Sequence, residues 1–253
     1  MRVEKDIAYR KYEQCILDAY LPPVDGFATV VYFHGGGLVC GDKADENNVD
    51  FAKAFVDAGY AFISVNYRMY KPHYAKYPDF LEDAAQAVAF VKKNYADKLG
   101  NGKLMVSGQS AGAWLASMLC VDKQWLNGVG IDAESIDAWL IDSAQMTSHF
   151  HLIEFENKED PWVQRIDKYA PLYYVKPGVK VSPIFITFYE NDMLCRVEQN
   201  QLFIKALKYF YPEADIKGVL LPGSHCHGTI HREEDGQFAF LTHLLPWLQE
   251  RGL

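Results

Sequence analysis

A serine flanked by small residues lies at the centre of the most informative segment of the sequence. Residues 108–112 read Gly-Gln-Ser-Ala-Gly, between an apolar run over 103–107 and a second one over 113–119. The first run predicts a buried strand and the second a helix, so Ser110 would lie on a sharp strand-to-helix turn. Such a turn presents the hydroxyl outside the sheet, and the helix directs its first amides toward it. The pattern predicts a nucleophilic serine.

A run of three glycines provides the second chemical signal. His34 and the glycines at 35–37 follow a β-branched and aromatic run over 28–33, which is typical of a strand. Glycine-rich backbone after a strand can turn its amides toward a ligand, and acyl transfer needs such donors for the negative oxygen of its tetrahedral intermediate. A flexible turn is the alternative for an isolated run of this kind. The serine motif downstream favours anion stabilisation.

Together the two motifs resemble those of the HGGG carboxylesterases of the α/β-hydrolase superfamily, of the hormone-sensitive-lipase-like and feruloyl-esterase-like types. The resemblance runs from about Ile16 to the C-terminus. It implies one α/β-hydrolase domain over 1–253, with a mostly parallel sheet and helices on both faces. It also implies that the amides of Gly36, Gly37 and Ala111 form an oxyanion hole. No cofactor is expected.

The resemblance implies a catalytic acid and then a histidine downstream of Ser110. Asp192 is the preferred acid because it comes shortly after a strand-like run over 184–188. The glycine that the family carries before this acid is missing here. Glu190 is an alternative acid. Asp142 is another, since it ends a strand-like run over 138–141.

Two histidines compete for the role of base. His225 and His227 both follow the last strand-like run, over 216–221, and both fit the family pattern imperfectly. We favour His225, because a residue nearer the strand end is held more firmly by the sheet. His227 has the glycine that follows the histidine in the family, and it remains the alternative. Cys226 lies between them and could act as a thiol nucleophile, but it lacks the turn context of Ser110.

Other polar residues are interpreted as structural. His34 is expected to brace the glycine loop through hydrogen bonds. Arg68 and Asp83 are expected to form a buried ion pair. The pairs His149-x-His151 and His225-x-His227 have metal-like spacing, but no further ligand completes either of them, so no metal site is expected.

Composition narrows the class of protein. The chain has 253 residues, 49% hydrophobic content and a net charge of −8, which suit one α/β domain and disfavour nucleic-acid binding. The start of the sequence lacks the apolar core of a signal peptide, and no apolar run reaches membrane-spanning length. Five scattered cysteines without a C-x-x-C motif suggest free thiols and a cytoplasmic location. The sequence leaves the oligomeric state open.

The remaining segments predict the scaffold. An opening strand or hairpin over 7–21 and a strand over 60–65 complete the strand set, and helices are expected over 51–58, 80–95, 111–121, 198–210 and 238–250. Alternating strands and helices predict a mostly parallel sheet. The stretch over 143–182 interrupts this alternation with many aromatic residues. We interpret it as a small cap over the substrate, with a long surface excursion as the alternative.

The sequence thus predicts a serine carboxylesterase for a small-molecule ester of short-chain acyl, acetylated-sugar or feruloyl type. An amidase of the arylformamidase type or a peptidase on the same triad is an alternative, because cleavage of C–O and C–N bonds uses the same groups. A non-catalytic binding module on the same fold is a further alternative.

Overall fold

The computed structural model describes residues 1–253, whose strands form one eight-stranded sheet. The strands are β1 (Arg2–Ala8), β2 (Ile16–Leu21), β3 (Thr29–Phe33), β4 (Ala61–Val65), β5 (Leu104–Gln109), β6 (Ala138–Asp142), β7 (Ile184–Asn191) and β8 (Ile216–Ser224). The α-helices are α1 (Glu46–Asp57), α2 (Asp79–Val91), α3 (Ala111–Val121), α4 (Gln124–Asn127), α5 (Phe150–Leu152), α6 (Arg196–Phe210), α7 (His227–Ile230) and α8 (Ala239–Gln249). Every strand and helix predicted from the sequence is present.

The sheet order brings the chemically interesting loops to one edge. The strands are arranged β1-β2-β4-β3-β5-β6-β7-β8, and only β2 runs antiparallel, to both of its neighbours β1 and β4. The strands from β3 to β8 are parallel, so their carboxyl ends lie on the same side. Ligands of open parallel sheets bind at this side.

Helices cover both faces of the sheet, as expected for a parallel sheet whose strands are apolar on both sides. On one face, Phe51 of α1 and Leu244 of α8 belong to a single apolar cluster. On the other face, α2, α3 and α6 pack into the larger cluster. All residues of α3 are buried. This burial fixes the N-terminus of α3, and with it Ser110, against the centre of the sheet.

Several boundaries differ from the sequence prediction. Helix α1 begins at Glu46 rather than residue 51, because its first turn is polar and lacks an apolar pattern. Strands β7 and β8 each extend about three residues further than expected, because they pair with each other up to Asn191 and Ser224. Pro222 is tolerated in β8 because this is an edge strand. The longer strands place Asp192 and His225 directly at the strand ends.

The interruption over 143–182 contains no strand. It has α5, a π-helical turn over Ile153–Asn157 and a 3-10 turn over Pro171–Tyr174. Its contacts to the rest of the chain are specific. The Nε1 group of Trp114 in α3 donates to the carbonyl of Tyr169 at 3.0 Å, and the Tyr70 hydroxyl donates to Glu156 at 2.8 Å. This segment therefore packs over the carboxyl edge of the sheet.

Candidate active site

Ser110 occupies a strained turn between β5 and α3. Its φ of 53° and ψ of −113° lie in a region that residues other than glycine rarely adopt. Close packing explains both flanking glycines: a Cβ on Gly112 would lie 1.9 Å from the carbonyl oxygen of Phe33, and one on Gly108 would lie 2.2 Å from that of Gly112. The turn can form only where β3, β5 and α3 approach without side chains between them.

His225 connects Ser110 to Asp192. The Nε2 atom of His225 lies 2.8 Å from the Ser110 hydroxyl oxygen, and its Nδ1 atom lies 2.5 Å from Oδ1 of Asp192. The Asp192 side chain is fully buried, whereas a quarter of the His225 side chain is exposed. The three groups form a continuous hydrogen-bonded relay from a buried carboxylate to an accessible hydroxyl.

The surroundings of Asp192 favour its charged form. Burial raises the pKa of this carboxyl, but the hydrogen bond from His225, the nearby imidazole charge and the Met193 amide at 2.7 Å outweigh it, and the pKa lies below its ordinary value. The guanidinium of Arg196 acts in the same direction from the first turn of α6. An ionised Asp192 can hold the Nδ1–H tautomer of His225, which leaves Nε2 free to accept the proton of Ser110.

The alternative acids are placed differently. Asp142 is buried at the end of β6 and accepts hydrogen bonds from Thr187 at 2.6 Å, Tyr189 at 2.8 Å and Thr229 at 2.6 Å. It makes no hydrogen bond to a histidine. Burial raises its pKa despite these three donors. Glu190 is exposed near the end of β7. The structure therefore joins only Asp192 to the histidine that contacts Ser110.

His227 makes no hydrogen bond to Ser110. It begins α7, its Nε2 lies 3.8 Å from Glu233, and its ring lies 4.9 Å from that of His231. Cys226, between the two histidines, is buried, and burial raises the pKa of its thiol well above the ordinary value. A buried neutral thiol is a poor nucleophile.

The glycine loop offers unpaired amides beside Ser110. Gly36 and Gly37 have φ values of 102° and 64°, which favour glycine, and neither of their amides has an acceptor within the protein. Ala111 is the first residue of α3, so its amide has no intrahelical partner. Gly35 packs directly on the serine, since a Cβ there would lie 3.3 Å from the Ser110 Cβ.

Hydrogen bonds to neighbouring carbonyls orient the first two of these amides. Nδ1 of His34 donates to the Gly35 carbonyl at 2.7 Å, and the amides of Val39 and Cys40 both donate to the Gly36 carbonyl at 3.0 Å. In a trans peptide the N–H points opposite to the C=O. These bonds therefore direct the amides of Gly36 and Gly37 away from their own loop. The bracing expected of His34 corresponds to this contact.

The other sequence candidates are structural. Arg68 and Asp83 form the expected ion pair, with Nε 2.7 Å from Oδ2, and Arg10 pairs with the same carboxylate.

No group of three or more His, Cys, Asp or Glu side chains is arranged to hold a metal ion. All five cysteines are free. None of the helices combines the length and apolar character needed to cross a bilayer.

Residues that sequence reasoning missed surround the relay. Buried Arg196 donates through Nη1 to the carbonyl of Ser143 at 3.0 Å, and the hydroxyl of Ser143 accepts from the Cys226 amide at 3.1 Å. These bonds anchor the loop that carries His225. No local sequence signal identifies them, because the partners are 53 and 83 positions apart.

A polar cavity of about 260 Å³ lies beside the glycine loop. It is lined mainly by polar residues and glycines: His34, Gly35, Gly36, Cys40, Gly41, Asp45, Asn47, Asn48, Gln109 and Ile230. A larger cavity of about 320 Å³ lies near α2 and α4 and contains none of the site residues. The smaller cavity adjoins Gly35 and Gly36 of the glycine loop.

Solved structures of low sequence identity share this architecture. Esterase B from Lactobacillus rhamnosis aligns with a TM-score of 0.79 and 19% identity, over 99% of this chain and 85% of that one. The propionate-bound esterase Est2 from Thermogutta terrifontis aligns with a TM-score of 0.76 and 22% identity, over 99% and 94%. The chain has the α/β-hydrolase fold. The fold class predicted from the sequence is confirmed.

Sequence matches cover only part of the chain. The BD-FAE family model matches residues 17–136. Carboxylesterase NlhH of Mycobacterium tuberculosis is 32% identical over 119 residues, which are 46% of this chain and 36% of that protein. Esterase LipI of the same species is 36% identical over 92 residues, or 36% of this chain and 28% of the relative. The family match includes Ser110 and the glycine loop but not Asp192 or His225.

Proposed function

We propose that this protein is a serine carboxylesterase. The hydrogen-bonded relay of Ser110, His225 and Asp192, together with the unpaired amides of Gly36 and Gly37 in the adjoining glycine loop, carries the proposal. Similarity to curated carboxylesterases and esterases, and to solved esterase structures, supports it.

The proposed reaction begins at the Ser110 hydroxyl. Its oxygen attacks the ester carbonyl carbon while its proton moves to Nε2 of His225. The carbonyl oxygen becomes negative in the tetrahedral intermediate and accepts hydrogen bonds from the amides of Gly36, Gly37 and Ala111. Asp192 stabilises the imidazolium that forms, because its carboxylate contacts Nδ1.

In the remaining steps His225 acts first as a general acid and then again as a general base. The intermediate collapses to an acyl-serine as the leaving alcohol takes the proton from His225. Water then attacks the acyl carbon and transfers a proton to the same nitrogen, and Ser110 leaves with that proton as the acid is released. No metal or organic cofactor is needed, because the acid, base and anion donors are all protein groups.

Short-chain acyl esters are the proposed substrates. The comparable Est2 structures hold propionate and butyrate, and Esterase B was inhibited by a tributyrin phosphonate. The cavity beside the glycine loop is lined by Asp45, Asn47 and Asn48, which can hydrogen-bond a hydroxylated alcohol portion. Esters of this kind include acetylated sugars.

A panel of p-nitrophenyl esters with acyl chains of two to twelve carbons tests the proposal, followed by acetyl-xylan and methyl ferulate. We expect the highest kcat/KM at the short end. Ser110→Ala is the control and should lose about 10⁴–10⁶-fold in kcat. A variant that retains a tenth of wild-type turnover would contradict the assignment. A matched ester and N-formyl arylamine pair separates an esterase from an amidase.

A further inference from the structure

The cap segment over 143–182 contacts the glycine loop at Gly37. Nδ1 of His151 donates a hydrogen bond to the carbonyl of Gly37. The fit is close, because a Cβ on Gly37 would lie 2.9 Å from Cε1 of His151 and 3.3 Å from Cζ of Phe150. Residues 114 positions apart in sequence thus meet at the third glycine of the loop.

Three consecutive glycines do not by themselves fix the conformation of their backbone. Glycine loses more conformational freedom on ordering than any other residue, so the direction of an unpaired amide in such a loop depends on outside contacts. The peptides on either side of Gly36 are held by His34, Val39 and Cys40. The peptide after Gly37 has no such support from its own loop, and its carbonyl is bound by His151 instead.

The position of His151 is itself fixed. Its amide donates to Nδ1 of His149 at 3.3 Å, and its ring is stacked on that of Phe155, with centroids 5.2 Å apart. His149 is buried, and burial lowers its pKa well below the ordinary value, which favours a neutral ring whose Nδ1 can accept this hydrogen bond. The His149 ring contacts Trp114, one turn after Ser110 in α3. Nε2 of His151 lies 3.6 Å from Glu154.

We infer that His151 is a positioning residue for the oxyanion hole: by holding the Gly37 carbonyl, it lets the cap segment fix the backbone just beyond the Gly37 amide, which Val39 and Cys40 orient from within the loop. The inference rests on the proposed esterase function. His34 fixes the loop from the side of the sheet, and His151 fixes it from the side of the cap. The cap then contributes to transition-state stabilisation as well as covering the substrate.

His151→Leu and His151→Asn test this role. Leucine keeps much of the volume but removes the donor, whereas the asparagine Nδ2 can replace the imidazole Nδ1–H. Loss of one oxyanion donor costs about 10²–10³-fold in kcat, so a misaligned donor should cost about 10–100-fold. We expect His151→Leu to lose this much in kcat with KM changed less than about threefold. His151→Asn should recover most of the loss.

A trifluoromethyl ketone inhibitor gives a readout that general damage to the cap would not produce. Its adduct with Ser110 places an oxyanion in the hole, so its inhibition constant for His151→Leu should rise in proportion to the fall in kcat/KM. His243→Leu, at an exposed histidine of α8, is the matched control and should behave like wild type. Thermal unfolding of each variant shows whether it is folded.

The outcomes separate the two proposals. Wild-type protein that hydrolyses no ester contradicts the esterase function. Active wild type with a folded His151→Leu of unchanged kcat and inhibitor affinity overturns only the role of His151. A larger KM with unchanged kcat would also overturn it, because the cap would then act in substrate binding alone. Equal losses in the leucine and asparagine variants would exclude the hydrogen bond as the cause.

Discussion

The ends of β6 and β7 each carry a buried carboxylate, and the two are in opposite environments. Asp142 is surrounded by three hydroxyl donors, and its pKa is raised by burial. Asp192 contacts an imidazole and a backbone amide, and despite its burial its pKa is lowered. Burial at a strand end therefore does not make a carboxylate part of a proton relay. A carboxylate becomes part of one when a partly exposed histidine donates a hydrogen bond to it.

Removal of the histidine should have the largest effect on activity, because the histidine is what distinguishes the two carboxylates. His225→Ala should lose about three or more orders of magnitude in kcat, close to the loss for Ser110→Ala, because the members of a relay act as a unit. His227→Ala should lose at most about tenfold, since His227 contacts Glu233 and His231 instead. Steady-state kinetics of both variants with p-nitrophenyl butyrate checks this. The reverse order would move the base to His227.

Asp192→Asn should have the next largest effect. An amide cannot stabilise the imidazolium as a carboxylate does, and it can favour the wrong tautomer of His225, so kcat should fall about 10³–10⁴-fold. KM should change little, because the Asp192 side chain is fully buried behind His225. Kinetics at several pH values measures the loss. Activity within tenfold of wild type would favour another acid.

Asp142→Asn should instead affect stability. Its kcat should stay within about tenfold of wild type, because Asp142 makes no bond to His225. In mild acid the free energy of unfolding should fall by about 1–3 kcal/mol, since the variant must rearrange the three donors. Urea unfolding of the variant and of the wild type between pH 3 and 7 measures this difference in the free energy of unfolding. A loss of kcat comparable to that of Asp192→Asn would remove the distinction between the two carboxylates.

The pH dependence of stability should have opposite signs at the two sites. The pKa of Asp142 is raised in the folded state, so its contribution is present below the ordinary carboxyl pKa of about 3.9 and is lost as the pH rises through the raised value. The pKa of Asp192 is lowered, so its contribution is present above about 3.9 and is lost as the pH falls through the lowered value. Between pH 3 and 7, the two Asn variants should therefore diverge from wild type in opposite directions.

Metal removal should have the smallest effect. Extended EDTA treatment is expected to leave activity unchanged, because no cluster of ligating side chains is present at either strand end. Stoichiometric zinc in the purified protein, with activity lost on its removal, would contradict the serine mechanism.

Local patterns were sufficient for most of the fold. The β-branched runs and the spacing of apolar residues predicted the strands and the five longer helices but not the short helices α4, α5 and α7, because burial on both faces of a parallel sheet leaves a local signature only in the longer elements. The ends of β7 and β8 were missed, since they depend on pairing between residues that are 32 or 33 positions apart in sequence. The polar first turn of α1 was missed because it has no apolar periodicity.

The sequence alone specified the turn at Ser110 and the glycine loop, because both depend on backbone turns that neighbouring residues specify. It favoured Asp192 over Asp142 and Glu190, and less firmly His225 over His227, but it gave no contact that decides either choice, since all of them end strands or follow them closely. Only the tertiary structure brings His225 to 2.8 Å from Ser110 and His151 against Gly37. Both contacts join residues more than a hundred positions apart, and the packing of the sheet and the cap segment decides them.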